Sequence, residues 1–424
     1  MNAVLKALRE RVPRATLGKW KEHQRRENPL TVLRRQEATR IPDLLPIRHE
    51  RMRRDPFSYY RGAAALAALD FADLPVTGLR AQICGDAHIM NFGAYASPER
   101  NLVFDVVDFD ETLPGPWEWD VLRLCASIPL LALVAGVRSE RADDAVVAAA
   151  QAYRESMNRY AAMDPLDVWY ARIDVDAALR AEISIRASTQ ELLPTLESSA
   201  SRSPRFADRP PLFMRLSRAD ERVELAHGIF RAYRASLPDH LRVLFDRYHV
   251  VDMAIKVVGV GSIGTLCLLA LLVAENERPL LIQIKEAQRS VAEQYLGMSR
   301  FANHGERVVV GQHLMQAASD LFLGWSSDGD RDFYVRQLRD MKGCLVVEGL
   351  RASTLECYAR HCGATLARAH ARSGEPRAIG GYLGKSAAFD EAMVRFARGY
   401  SVQCERDYAA FVAACARGEF AVAP

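Results

Sequence analysis

Two short stretches of this chain carry the residue types that phosphoryl transfer needs. The first runs Cys84-Gly85-Asp86-Ala87-His88-Ile89-Met90-Asn91 and is followed by Val106-Val107-Asp108-Phe109-Asp110. Asp86 and Asn91 are five residues apart on one polar loop, and Asp108 comes 22 residues after Asp86 at the end of the next strand-like run. In such a set one Asp accepts the proton of an attacking hydroxyl, while an Asn and a second Asp hold Mg²⁺ against nucleotide phosphates. Mg²⁺ takes a few hard oxygen ligands and keeps several waters, which suits so sparse a set. Asp and Asn also make turns at strand ends, so it is the pair of clusters at this spacing that points to a site. A metal-dependent hydrolase built from Asp86, His88, Asp108 and Asp110 is a second reading of the same residues. Cys84 precedes the loop on an apolar strand and reads as a buried strand residue, not as a nucleophile.

The second stretch is Lys256-Val257-Val258-Gly259-Val260-Gly261-Ser262-Ile263-Gly264-Thr265, followed by Leu280–Lys285. In a dinucleotide reading, Gly259, Gly261 and Gly264 open a helix from Ile263 to Glu275, and Glu286 stands 22 residues after Gly264, close to the spacing of a ribose-binding acid. In a kinase reading the glycines form a flap between two antiparallel strands, and Lys285 projects from the third strand toward the α and β phosphates. Leu266–Val273 is apolar throughout, so its periodicity separates neither helix from strand. The partner set favours the kinase reading: a glycine flap, a strand lysine, a D-x-x-x-x-N loop and a following Asp are all present. The catalytic half precedes the glycine half, so this reading requires a circularly permuted chain. That is physically tolerable, because a site depends on positions in space and not on chain order.

The elements that must position these residues follow from local pattern. Leu79–Cys84 and Leu102–Asp108 read as strands around a loop at 85–97. Residues 1–55 are basic and helical, Phe57–Leu74 is a helix, and helical periodicity runs from Trp117 to about Ser188. The stretch 189–212, rich in Ser, Pro and Arg, reads as a mobile loop or lobe boundary. A second strand-rich block spans about 250–341, and Thr354–Cys415 is mainly helical. The expected organisation is a basic helical extension at 1–40, a catalytic-loop half at 41–248, a small lobe at 249–345 and closing helices at 346–424.

Composition bounds the rest. Apolar residues are 49% and charged residues 26% of 424, which excludes a disordered tail, a collagen and a small disulfide scaffold. A net charge of +3 offers no strong field for nucleic acid, and none is expected as a partner. Eight cysteines without a CxxC pair argue against structural zinc. The charged N-terminus lacks the apolar core of a secretory signal, so a cytoplasmic location is expected. Val257–Ala274 is uncharged but holds three glycines and falls short of the ~20 residues of a bilayer span, so no membrane span is expected.

Several blocks together resemble the bacterial domain-of-unknown-function family 2252: Arg48–Met52, Phe57–Gly62, Cys84–Gly93, Phe104–Trp119, Lys256–Thr265, Gln283–Ala287, Gln316–Trp325 and Tyr334–Gly343. The resemblance runs from about residue 40 to 410. That family is similar to the protein-kinase-like superfamily, especially aminoglycoside and choline kinases. The resemblance implies an α+β, two-lobed, kinase-like fold with permuted lobes, using ATP and Mg²⁺. It implies Asp86 as base, Asn91 and Asp108 as metal ligands, and Gly259, Gly261, Gly264 and Lys285 on the phosphates. Cys84 departs from the usual first His of the loop, and Val107 stands where many relatives carry Asn. The segment Gly115-Pro116-Trp117-Glu118-Trp119-Asp120 resembles a structural D-P-x-x-D-L turn, and Leu366–His370 the helix that ordinarily runs before the catalytic loop.

A kinase lysine also needs a carboxylate partner. Glu286 points away from Lys285 on the strand, Glu293 follows too closely, and Glu306, 21 residues on, has the better spacing, with Gln312 as a substitute. Arg61 is a candidate bidentate contact for phosphate or substrate. Asp110 and Glu111 are candidates for the metal site or a helix cap, and Trp117 and Trp119 for the core. The expected reaction is ATP-dependent phosphorylation of a small hydroxyl-bearing molecule, since Leu113-Pro114-Gly115-Pro116 closes the segment after Asp108 too quickly for a protein acceptor. Its rivals are a nucleotide-binding module without transfer, a nucleotidyl transferase on the same fold, and an NAD-dependent enzyme.

Overall fold

A computed structural model of the chain describes residues 2–20, 25, 27–186, 205–217, 219–257, 259–275, 279–338 and 341–423. Most of the stretch expected as a loop or boundary (189–204), and Val258 of the glycine motif, lie outside the described residues.

The fold is α+β, and among the described residues every named strand runs antiparallel to its neighbours. β1 (Arg80–Ile83) pairs with β4 (Leu113–Pro116). β2 (Phe92–Ala96) and β3 (Leu102–Val106) form a hairpin that continues into a four-stranded sheet, ordered β3-β2-β12-β5, with β5 at Ile183–Arg186 and β12 at Lys342–Leu345. The third sheet has six strands in the order β10-β11-β9-β8-β7-β6. Their spans are β6 Phe213–Arg215, β7 His249–Lys256, β8 Cys267–Val273, β9 Pro279–Ala287, β10 Gly324–Asp328 and β11 Arg331–Gln337. This sheet reaches upstream of residue 249, because β6 pairs with β7.

Each body of sheet has its own core. Beneath β1–β4 lie four long helices, Trp117–Val134, Ser139–Tyr160, Ala352–Ser373 and Ala388–Ala416. Trp117 is fully buried there, stacked on Tyr153 at 5.6 Å, and Trp119 is buried beside it. The six-stranded sheet is covered on both faces. Ile282, Ile284, Phe333 and Val335 meet Ile229, Phe230 and Tyr233 of the Glu221–Ser236 helix. Leu269, Leu271 and Leu281 face the other way onto Phe206 and Phe213. Strands buried on two faces carry no alternation, which is why Leu266–Val273 gives no periodic signal.

Three elements differ from expectation. The 57–74 helix is two helices, Pro56–Gly62 and Ala64–Ala72, broken at Ala63 with φ −110° and ψ 42°. The 85–97 loop contains β2. The basic N-terminal segment is tied into the body, with Arg25 bridging Asp70 and Asp407 and Arg9 donating from Nε to the Tyr382 carbonyl at 3.1 Å. Among the described residues no helix is long and apolar enough to cross a membrane.

Candidate functional site

The Asp86 loop leaves the end of β1 and is held by its backbone. Asp120, in the first turn of the Trp117–Val134 helix, accepts from the amides of Cys84 at 2.8 Å and Gly85 at 3.0 Å, and its other contact is His370 Nε2 at 3.2 Å. Gly85 has φ +79°, and a Cβ there would stand 2.4 Å from the Glu111 carbonyl oxygen, so only glycine fits. Asn91 donates from Nδ2 to the Asp86 carbonyl at 2.6 Å. The β2–β3 hairpin sets Phe92 opposite Val106, and the Val107 amide donates to the Asn91 carbonyl at 2.9 Å. That register brings Asn91 alongside Asp108, far apart in sequence. Cys84 is buried, as its place on the strand implies.

The Asp86 carboxylate is oriented by Arg123, whose Nε donates to Oδ1 at 2.8 Å while Nη2 donates to the Tyr60 carbonyl at 2.8 Å. Burial raises the Asp86 pKa above the usual carboxylate value, and Arg123 works against that rise. His88 Nε2 is 3.8 Å from Asp86 Oδ2. Burial, then Arg61 and Arg123, push the His88 pKa well below its ordinary value, so the imidazole is neutral. Its Nδ1 is buried with no hydrogen-bond partner.

The glycine motif joins β7 to β8, which are antiparallel neighbours. A strand, not a helix, follows Gly264, so the geometry a dinucleotide site requires is absent here. Two buried arginines from the N-terminal segment hold the loop by its carbonyls. Arg40 donates to the Gly261 carbonyl at 2.7 Å and also to that of Ile263; Arg48 donates to the Val260 carbonyl at 2.6 Å and, across to the Pro56–Gly62 helix, to the Gly62 carbonyl at 2.6 Å. The Ile41 amide donates to the Gly264 carbonyl at 2.8 Å. So braced, the loop lies over the Asp86 loop: a Cβ on Gly261 would stand 4.0 Å from Asp86 Oδ2.

Lys285 does have a carboxylate partner, and it is not the expected one. Its Nζ contacts Asp110 Oδ2 directly and is 3.9 Å from Asp108 Oδ1. Asp110 also accepts from Ser262 Oγ at 2.9 Å and Tyr334 OH at 2.8 Å. Burial opposes the charge on Asp110, but Lys285 and these hydrogen bonds bring its pKa below the usual carboxylate value. Asp108 and Asp110 hold the Lys285 pKa above its ordinary value despite burial. Glu306 and Gln312 do not reach Lys285. The His304–Met315 helix turns Arg307 toward the site instead, donating to the carbonyls of Thr112 at 2.6 Å and Asp110 at 2.8 Å. Gln312 Nε2 donates to Gln316 Oε1 at 2.8 Å. Asp110 is therefore the ion-pair partner of Lys285, and the helix that follows begins at Trp117 with Pro116 at its N-cap. The sequence reading missed Arg123, Arg307, Arg40 and Arg48; charged residues that hold backbone carbonyls leave no local pattern.

The model of uncharacterized proteins conserved in bacteria known as DUF2252 matches residues 40–414. The chain belongs to the DUF2252 family. Neither a curated protein nor a solved structure matches it. Every residue of the DUF2252 site described above, from Arg40 of the loop brace to His370 behind the Asp86 loop, lies inside the matched region.

Two cavities meet at this DUF2252 site. A cleft of about 410 Å³ runs between the six-stranded sheet and the β2–β3 hairpin, with Lys285 and Arg336 on one wall and Asn91 and Asp108 on the other. A small chamber of about 50 Å³ adjoins it and holds Asp86, His88, Gly259 and Gly261. Arg61 lines both cavities, and its Nε is buried without a hydrogen-bond partner. Burial lowers the Arg61 pKa, and Asp86 and Asp108 oppose that. With Nδ2 of Asn91 committed to the Asp86 carbonyl, its Oδ1 and the Asp108 carboxylate are two hard oxygen donors on one wall, which fits Mg²⁺ held together with phosphate oxygens. Among the described residues no three His, Cys, Asp or Glu gather into a metal-chelating group; Asp86, His88, Asp108 and Asp110 all line the small chamber.

Proposed function

We propose that this DUF2252 protein is a Mg-ATP-dependent phosphotransferase that acts on a hydroxyl of a small molecule, on a protein-kinase-like fold with permuted lobes. The observation that carries the reading is the convergence of a strand lysine, a glycine hairpin, and Asp86, Asn91 and Asp108 around two adjoining cavities. In this reading the six-stranded sheet is the nucleotide lobe, and the β7–β8 hairpin covers the phosphates. The His304–Met315 helix, between β9 and β10, occupies the place of the helix that ordinarily supplies the lysine's glutamate. Asp110 takes over that pairing. The bonds from Asp120 to the Asp86 loop support the resemblance of its segment to the kinase structural turn.

The chemistry follows from the residues. The acceptor hydroxyl gives its proton to Asp86, whose burial favours proton uptake and whose orientation Arg123 fixes. The hydroxyl oxygen bonds to the γ-phosphorus as the bond to the β-phosphate oxygen breaks, and ADP leaves. Lys285 neutralises the α and β phosphates. Arg61 offers an unpaired planar donor for the transferring group, between Gly259 and Asp86. Asn91 and Asp108 would hold Mg²⁺, which supplies charge neutralisation on the phosphate chain.

The test is thermal unfolding with Mg-ATP, Mg-GTP or NAD, on wild type and Asp108→Ala, followed by an assay for ADP. A ligand at 100 times its dissociation constant adds ~2.7 kcal/mol, enough for a shift of a few degrees. The expected result is a magnesium-dependent ATP shift that weakens in Asp108→Ala. Stabilisation by NAD alone would overturn the reading, and release of pyrophosphate instead of ADP would replace it with nucleotidyl transfer.

A further inference from the structure

A cavity of about 570 Å³ opens between the β1–β4 pair, the His304–Met315 helix and the 296–301 loop that precedes that helix. It shares no lining residue with the nucleotide cleft or the Asp86 chamber. Its volume is that of a small-molecule site, for which ~300–1,000 Å³ is ordinary. Its charged lining is of one sign: Arg80, Arg300, Arg307 and Arg372 line it, and among the described residues no Asp or Glu does.

The four arginines play two parts. Arg307 spends its Nη groups on the carbonyls of Thr112, Asp110 and Gln288, with Glu293 3.8 Å from its Nε. Arg372 is stacked over Trp169 at 4.0 Å, donates from Nη2 to the His313 carbonyl at 3.3 Å, and keeps Nε and Nη1 buried. The donors of these two are spent or out of reach, so they act on the cavity through charge alone. Burial, then repulsion from Arg368, brings the Arg372 pKa down to about 10, so this wall is short of negative charge. Arg80 and Arg300 are exposed and can make contacts. Arg80 donates from Nη2 to the Pro114 carbonyl at 2.5 Å, and Arg300 lies over the Phe301 ring at 4.8 Å; among the described residues neither has a carboxylate partner. The rest of the wall is largely apolar. Leu296, Phe301, Val310 and Leu314 are half-buried along it, and Met298 beside them is 80% exposed. Arg307, Val310 and Leu314 share one face of their helix, so charge and apolar surface are offered side by side. An inorganic anion would leave the apolar wall wet, and a neutral apolar molecule would leave the arginines unanswered.

We propose that this cavity binds an amphipathic anion, a carboxylate or phosphate carried on an apolar chain or ring, with Arg80 and Arg300 on the oxyanion and the side chains from Leu296 to Leu314 on the apolar body. A guanidinium meets either oxyanion through paired N–H donors, which is the chemistry the two share. The assignment is independent of the phosphotransferase reading, because neither arginine lines the nucleotide cleft or the Asp86 chamber.

Titration calorimetry at fixed ionic strength would compare octanoate, octyl phosphate, 1-octanol and inorganic phosphate, the amphiphiles below their micellar concentrations. Wild type would be set beside Arg300→Gln and the Arg80→Gln, Arg300→Gln double variant, with melting temperatures recorded for each. The expected result is that octanoate or octyl phosphate binds wild type, that octanol and inorganic phosphate each need about ten times the concentration or more, and that the double variant binds the anion roughly tenfold more weakly at an unchanged melting temperature. Four results would overturn the inference: octanol binding as tightly as either amphiphilic anion, inorganic phosphate binding as tightly as octyl phosphate, an affinity that neither variant alters, or no binding of either anion at millimolar concentration. Cosedimentation with phosphatidylglycerol vesicles, lost in the double variant and without binding of the free anions, would assign the surface to a membrane instead. The comparison of octanoate with octanol is made on wild type, so the test stands even if a variant does not fold.

Discussion

At the scale of single residues, the site depends on charges that are buried and answered. Asp86 carries an orienting arginine, and the predicted consequence is separable. On the phosphotransferase proposal, Asp86→Asn keeps the shape and the Arg123 contact but loses the proton acceptor. It should lower turnover by ~10²–10⁴-fold while leaving the Mg-ATP thermal shift in place, which a coupled ADP assay beside thermal unfolding will check. Lys285 and Asp110 form the complementary case. Asp110→Ala leaves a buried ammonium with Asp108 3.9 Å away as its remaining carboxylate. Removing one partner of a buried pair costs ~3–5 kcal/mol; the Asp110 side chain is 27% exposed, so the lower end is expected. Urea unfolding of Asp110→Ala, Lys285→Met and the double variant should show the double less destabilised than the sum of the singles.

At the scale of elements, the β7–β8 loop is the piece whose position decides whether the site is assembled. Its carbonyls are bound by Arg40 and Arg48, so the N-terminal segment acts as its brace. Arg48→Ala should raise hydrogen exchange of the amides at 259–264 while the six-stranded sheet keeps its protection, measured by mass spectrometry. The glycines of the loop are not equivalent. Gly264 has φ +99°, and an added Cβ would meet Arg40 Cβ at 2.7 Å, whereas on Gly261 it would find its nearest neighbour, the Arg61 carbonyl oxygen, at 3.4 Å. Gly264→Ala should therefore lower the melting temperature by the equivalent of ~1–3 kcal/mol, with Gly261→Ala much less affected. Equal losses in the two would mean that the brace does not dictate the loop's conformation.

At the scale of the whole molecule, stability should depend on pH through buried acids whose desolvation outweighs their favourable partners. Glu118 is fully buried, accepts from the Thr77 amide at 2.8 Å and hydroxyl at 2.6 Å, and has an unpartnered Oε2. Burial pushes its pKa up to about 7, above the ordinary 4.5, and the Thr77 bonds only partly oppose that. The folded state then binds more protons than the unfolded one between these values, so stability falls as pH rises from about 4.5 to about 7. Glu111 acts in the same direction over the same window. The loss from Glu118 is on the order of 3 kcal/mol. Glu118→Gln should flatten the fall in melting temperature between pH 5 and 8; an unchanged profile would assign the loss to other groups.

Much of the site was legible in the chain because its residues are local. Asp86 and Asn91 share a loop, Asp108 ends the next strand, and the glycines with Lys285 belong to one run of strands, so type and spacing sufficed to name them and the α+β class. Their gathering was not legible. It depends on the β2–β3 register that sets Asn91 beside Asp108, and on β7–β8 folding as a hairpin, which a strand covered on both faces does not announce. The partner of Lys285 lies 175 residues away in the chain, and spacing along the sequence pointed to Glu306 and Gln312 instead. The buried arginines that orient Asp86, brace the glycine loop and anchor the Asp108–Thr112 segment read in sequence as ordinary surface charges. By itself the sequence determined which chemical groups are available, because side-chain chemistry and local periodicity are properties of short segments. Only the tertiary structure decided which groups pair, which stay unpaired and which cavity each one faces, because burial and electrostatic pairing arise between segments distant in the chain.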